Sequence, residues 1–145
     1  MKVQVDLDID LPRDQVLELY RNPDNLKNWF IGFREFNHLS GRPCAIGSRF
    51  EVKFRVGNMN ISVEEKITRN DLPEEIWYEE HTEGITNLQK NLFIDVGENT
   101  TKWVIISNYE SDYIKHIGLS AFKKKTLKFM NSFKRFAESQ VLGTV

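Results

Sequence analysis

The chain has 145 residues, with 20 Lys and Arg against 21 Asp and Glu for a formal net charge of −1, so it lacks the basic excess of a dedicated nucleic-acid binder, and no nucleic-acid partner is expected. Its 40% hydrophobic and 28% charged residues suit a globular chain rather than a disordered one, and its one cysteine, Cys44, excludes an internal disulfide and fits a reducing compartment. No apolar run approaches the ~20 residues that cross a bilayer. Met1 to Leu11 carry Asp6, Asp8 and Asp10 where an export signal needs an unbroken apolar core, so one cytoplasmic domain over residues 1–145 is expected. Ten Phe, three Trp and four Tyr supply rigid burial area that can fill a solid core or line a hollow one.

Val3, Val5, Leu7, Ile9 and Leu11 alternate with polar residues, which predicts a half-buried strand over 2–11. Pro12 suits the first turn of a helix, where a missing N–H costs nothing, and Val16, Leu17 and Tyr20 give that helix an apolar side. Asn22-Pro23-Asp24 breaks it, and a second short helix over about 23–30 ends at Trp29-Phe30 with Gly32 behind it. Residues 33–40 form a weaker strand, since Phe33, Phe36 and Leu39 do not hold one phase. After the loop Gly41 to Gly47, Phe50, Val52, Phe54 and Val56 alternate with Glu51, Lys53 and Arg55, and Gly57-Asn58 marks a tight hairpin. Ile61, Val63 and Ile67 share a phase with Glu65 in the next strand, and three more strands are predicted over 75–83, 86–96 and 101–110.

In the last segment Phe122, Phe129, Phe133 and Phe136 fall within an arc of about 60°, with Met130 and Ala137 beside them and Lys124, Lys128 and Arg135 opposite. Residues 118–140 are thus one amphipathic helix, about 35 Å long. Six strands joined by hairpin-length turns are antiparallel neighbours, and a sheet with one apolar face needs a cover, for which this helix is suited. The expected class is α+β: a curved antiparallel sheet of about seven strands wrapped round a long C-terminal helix, with the two short helices plugging one end.

Several segments carry a family resemblance. Pro23-Asp24-Asn25-Leu26-Lys27-Asn28-Trp29 resembles a second-helix pattern ending in Trp, and Gly41-Arg42-Pro43 through Gly47-Ser48-Arg49-Phe50 is similar to a Gly-Pro…Gly-Thr-x-Phe stretch opening the third strand. Asp71-Leu72-Pro73 resembles an Asp-Pro-Pro turn, Thr101-Lys102-Trp103 a Gly-Thr-x-Val strand start with Thr100 in place of the glycine, and Phe122-Lys123 to Phe136-Ala137-Glu138 a closing helix. Together they resemble the SRPBCC superfamily, the START-like helix-grip proteins, and among these the bacterial polyketide cyclase/dehydrase-like and coenzyme-Q-binding-like members. The resemblance implies a hydrophobic cavity between sheet and long helix, on a fold that also hosts cyclases, hydrolytic enzymes and chaperone cofactors.

By phase, Phe50, Phe54, Ile61, Val63, Leu92, Ile94, Trp103 and Ile105 should face Phe122, Phe129, Met130 and Phe133 on the helix, with Trp29 and Phe33 also in the lining; these residues make either a solid core or a cavity wall. Glu65 breaks an apolar phase, so it sits at a wet strand end or mouth, the position expected here, or projects inward with a raised pKa. Trp77 and Tyr78 cannot both point inward. His81 is a candidate lining base or a solvated histidine among Glu79, Glu80 and Glu83, and Tyr109 is a further lining candidate. No His/Cys/Asp spacing matches a metal site, and no phosphate loop, dinucleotide fingerprint or nucleophile elbow occurs, so no cofactor, metal or assigned catalytic residue is expected.

The leading expectation is a non-enzymatic protein that binds or carries a small hydrophobic ligand, lipid, polyketide or isoprenoid-like, with the segment Ser111 to Gly118, including Tyr113 and Ile114, as gate. The alternatives are a cyclase/dehydrase-type enzyme using Glu65, His81 or Tyr109, and a cofactor of a chaperone or another protein. Residues 112–140 hold seven basic against two acidic residues, so Lys123, Lys124, Lys125 and Lys128 form either a solvated helix face or a transient contact with anionic lipid. Val104 and Ile106 make the outer side of the last strand apolar too, which leaves monomer and homodimer open.

Overall fold

Period-two alternation becomes seven strands in the computed structural model, which describes residues 1–112 and 116–143, the last three by backbone alone. In chain order these are β1 (Lys2–Ile9), β2 (Phe33–Ser40), β3 (Arg49–Val56), β4 (Met59–Asp71), β5 (Glu75–Thr82), β6 (Ile85–Gly97) and β7 (Thr100–Glu110). The helices are α1 (Arg13–Arg21), α2 (Leu26–Trp29), which a 3₁₀ turn at Pro23–Asn25 leads into, and α3 (Leu119–Gly143). Pro12 stands at the N-cap of α1 rather than inside its first turn. The predicted gate falls partly on residues 113–115, which lie outside the described residues.

All strands pair antiparallel in the order β1-β7-β6-β5-β4-β3-β2. Strands β2 to β7 form a meander, and β1 closes its far side by pairing with β7, Val5 opposite Ile105 and Leu7 opposite Trp103. The phase that β2 fails to hold in sequence has a structural cause: its register on β3 shifts between Phe33 and Glu35 and again between His38 and Ser40, and each irregularity re-aims the side chains beyond it.

Helix α3 crosses the inner face of this sheet and is seated at its C-terminal half. Met130, Phe133 and Ala137 are fully buried; Ser132 Oγ donates to the Trp29 carbonyl at 2.5 Å, Lys134 Nζ to the Asp8 carbonyl at 2.6 Å, and the Asp10 N–H to Glu138 Oε2 at 2.8 Å. Beneath it lies an aromatic plug. Phe93 and Trp103 stack at 6.0 Å and 11°, Tyr20 from α1 meets Phe93 edge-on at 5.1 Å, and Phe133 meets Trp103 at 5.3 Å and Trp29 at 5.0 Å.

Strand β6 departs from the expected phase. Leu92 and Ile94 were expected inward, yet Phe93 faces Trp103, Asn91 faces Ile105 and Gln89 faces Ser107 on the inner side, while Leu92 points outward half-buried and Ile94 is exposed. The cause is a polar demand in the core: Trp103 is wholly buried, and its Nε1–H donates to Asn91 Oδ1 at 3.0 Å. An indole N–H enclosed without an acceptor would cost about 1–3 kcal/mol, comparable to the burial lost by turning an aliphatic side chain outward, and Phe93 in the same phase keeps a large apolar side chain inside. Val104 on the outer side of β7 is only 6% exposed within the single chain, flanked by Asp6 and Leu92 on the neighbouring strands, while Ile106 on the same side is half-buried.

Gly32 links α2 to β2 at φ +76°, and a Cβ there would lie 2.1 Å from the Arg55 carbonyl oxygen; Gly57, at φ +58°, has open space around it. Gly57→Ala should therefore cost only the left-handed backbone penalty, about 1–2 kcal/mol, whereas Gly32→Ala should cost clearly more, about 3 kcal/mol or above. Urea unfolding of the two variants beside the parent checks the order.

Candidate functional site

The N-terminal half of α3 stands away from the sheet and leaves a cavity of about 630 Å³. Three cross-strand pairs build its floor: Phe50 opposite Glu65, Val52 opposite Val63 and Phe54 opposite Ile61. Phe122, Thr126 and Phe129 form the roof, and Trp29 and Phe30 close one end, Phe30 lying 5.2 Å from Phe54 and 5.5 Å from Phe129 by ring centroid. Tyr109 lines the space from β7 and packs on Phe122 at 4.5 Å. The sequence dictates these walls through one rule, that alternate residues of a strand share a face.

One wall is polar. Glu65 lies directly opposite Glu80 on β5, and Glu80 opposite Asn87 on β6. Asn87 Nδ2 donates to Glu80 Oε1 at 2.8 Å and Gln89 Nε2 to the same oxygen at 3.4 Å; Gln89 Oε1 accepts from Asn91 Nδ2 at 3.0 Å, which carries the chain back to Trp103. Tyr20 and Tyr78 share a hydrogen bond between hydroxyls at 3.1 Å. Burial, then the negative charge of Glu80, then a hydrogen bond from Glu65 to Glu80 raise the Glu65 pKa well above the usual carboxylate range. Burial raises Tyr20, Tyr78 and Tyr109 as well, so these hydroxyls stay protonated. Glu65 thus faces the cavity as an acid, not the wet strand end expected for it.

The sequence-predicted site residues divide into three groups. Trp29, Phe54, Val63, Glu65, Ile105, Tyr109, Phe122 and Phe129 lie in the cavity wall. Trp103, Met130 and Phe133 belong to the solid plug instead, because α1 and α2 fill the space that a uniform grip would leave open there. Phe33, Trp77, His81 and Leu92 stand outside the wall: Phe33 packs on Phe30, and Trp77 points outward between Lys90, 4.2 Å from its ring, and Arg69 at 4.9 Å, so Tyr78 is the inward partner. The His81 side chain is 53% exposed, next to Thr86 and Glu79.

Glu80, Asn87, Gln89 and Tyr20 are lining residues that sequence reasoning missed. The signal for two of them is the run Asn87, Gln89, Asn91, Phe93, which shares one phase ending in an aromatic residue. Lys123, Lys124, Lys125 and Lys128 are all exposed, and Lys125 borders the cavity. Among the described residues, no group of three or more His, Cys, Asp or Glu is placed to hold a metal, and no helix is long and apolar enough to cross a membrane.

Two outcomes follow from the polar wall. Asn91→Leu leaves both the Trp103 N–H and the Gln89 carbonyl unpaired and should cost about 2–4 kcal/mol in urea unfolding. Unfolded, Glu65 ionises near 4.5, while in the folded protein it holds its proton to higher pH. The native state therefore binds the extra proton, and stability is full below about pH 4.5 and lost as pH rises through the folded-state pKa. Glu65→Gln escapes that loss, so its stability relative to the parent should climb between pH 4 and 8 by about 1.4 kcal/mol for each tenfold weakening of the acid on folding.

No protein-family model and no curated protein matches the sequence. Solved structures do match in shape. The Zhui aromatase/cyclase from Streptomyces sp. R1128 superposes with a TM-score of 0.79 at 11% identity, covering 97% of this chain and 95% of its own. Norcoclaurine synthase from Thalictrum flavum, in complex with dopamine and hydroxybenzaldehyde, gives 0.71 at 11% identity over 94% of this chain and 85% of its own. Ara h 8.0201 gives 0.75 at 11% identity over 96% and 98%. The sheet order, the paired short helices after β1 and the long closing helix agree with these structures from end to end: this chain has the helix-grip fold of the SRPBCC proteins.

Proposed function

We propose that the chain binds a small, largely hydrophobic ligand, lipid, polyketide or isoprenoid-like, in the cavity between the sheet and the N-terminal half of α3. The observation that carries this reading is a hollow of about 630 Å³ walled mainly by aliphatic and aromatic side chains, a size within the range of small-molecule sites. Burial supplies the driving force: each CH₂ removed from water contributes about 0.8 kcal/mol, so ten contribute about 8 before the cost of ordering the ligand. Two of the solved structures that share the fold are an aromatase/cyclase and a synthase holding small aromatic molecules. A cyclase- or dehydrase-type enzyme is the second reading, favoured by Glu65 and Tyr109 lining the same cavity, where a carboxyl whose pKa burial raises can move protons.

N-phenyl-1-naphthylamine, an apolar probe that brightens when it leaves water, tests the binding reading together with native mass spectrometry after gentle purification. Binding in the micromolar range is expected, weakened about tenfold or more by Val63→Trp, which fills the hollow while the circular dichroism spectrum stays that of the parent. Protein that emerges bare and binds neither this probe nor added fatty acid or isoprenoid alcohol would overturn it.

A further inference from the structure

The polar wall has an unusual balance of charge and donors. Glu65 and Glu80 form a cross-strand pair in the cavity, yet among the described residues neither carboxyl is ion-paired, every salt bridge lying elsewhere. The cationic residues that border the same space, Arg21 and Lys125, are exposed. His38 also borders it and is engaged with the Gly41 carbonyl at 2.6 Å. A second observation is independent of the acids. Asn87 is only 4% exposed and lines the cavity; its Nδ2 is spent on Glu80, and its Oδ1 is a buried acceptor with no donor. Such an orphan is costly, and a half-buried negative charge without a cation adds to the cost.

A ligand group that answers all of these features carries positive charge and several N–H donors. A hydroxyl satisfies one acceptor and leaves the charge unanswered, and a carboxylate or phosphate meets like charge. We propose that the preferred occupant of this cavity is an amphipathic amine, with its ammonium group between Glu80, Glu65 and Asn87 and its apolar body against Phe50, Phe54 and Phe129. The inference rests on the ligand-binding reading above and narrows it to a chemical class. When a neutral amine enters, the Glu65 O–H bond breaks and the proton passes to the amine nitrogen, leaving an ammonium beside two carboxylates with no net change in protons.

Four probes that share one ring system separate the possibilities by isothermal titration at pH 7: 2-(1-naphthyl)ethylamine, 2-(1-naphthyl)ethanol, 1-naphthylacetic acid and the N-acetylated amine. The amine should bind about tenfold or more tighter than the alcohol and the acetamide, and the acid most weakly. Glu80→Gln should bring the amine-to-alcohol ratio close to one, and Glu65→Gln, nearly isosteric with the protonated side chain, should reduce it. An alcohol or acetamide that binds as well as the amine, or a ratio untouched by Glu80→Gln, overturns the amine assignment and leaves the binding reading standing. If none of the four probes binds while N-phenyl-1-naphthylamine, fatty acid or isoprenoid alcohol does, the amine assignment alone falls; if none of those binds either, the binding reading falls and takes this inference with it. The acetamide arm alters no protein residue, so the comparison decides even where a variant fails to fold.

Discussion

The Trp103 N–H, sealed inside the aromatic core, meets its acceptor in Asn91, and that pairing goes with the orientation of a whole strand. With this bond in place, β6 turns its amides toward the helix and its aliphatic residues toward solvent. From there the polar contacts run in one direction, Asn91 to Gln89 to Glu80, and reach the hollow half of the molecule. The core that holds the fold together and the wall that characterises the cavity are thus two ends of one hydrogen-bonded row. A fully satisfied row of this kind favours a unique packing, whereas one missing member penalises its neighbours on both sides.

The interior is divided rather than uniform. Toward the C-terminal half of α3, rings from α1, β6, β7 and the helix itself interlock edge-to-face and leave no room. Toward its N-terminal half the same helix offers Phe122, Lys125, Thr126 and Phe129 across the gap, and the sheet answers with residues spread over β3 to β7. The filled part holds the helix in place so that the empty part can persist, since a void costs stability that some other region must provide.

Much of the architecture is legible in the residues. Strict alternation in Val3 to Leu11 and Phe50 to Val56 marks two strands, and the phenylalanine stripe from Phe122 to Phe136 marks the covering helix. The family motifs at Pro23 to Trp29 and Gly41 to Phe50 agree with the observed elements as well. What alternation does not reveal is which phase is buried when both are mixed. In β6 the apolar phase is the outer one, and in β5 Trp77 and Tyr78 compete on equal terms until Lys90 and Arg69 claim the indole. Glu65 misleads for the same reason: a carboxyl reads as wet unless its cross-strand partner is known, and the register that sets Glu80 opposite it depends on a turn and on a bulge between Ile67 and Arg69. Sites of this kind break the local rule because their polar groups are kept inside.

The outward turn of β6 has a colloidal side. Leu88, Ile94 and Val96 lie bare on the convex surface, the sort of stripe on which chains cling to one another. Two lysines interrupt it. Lys90 follows Leu88 by two positions on the same face, and Lys102 sits across from Ile94 on the adjoining strand, so a second molecule approaching that stripe would have to strip water from two ammonium groups.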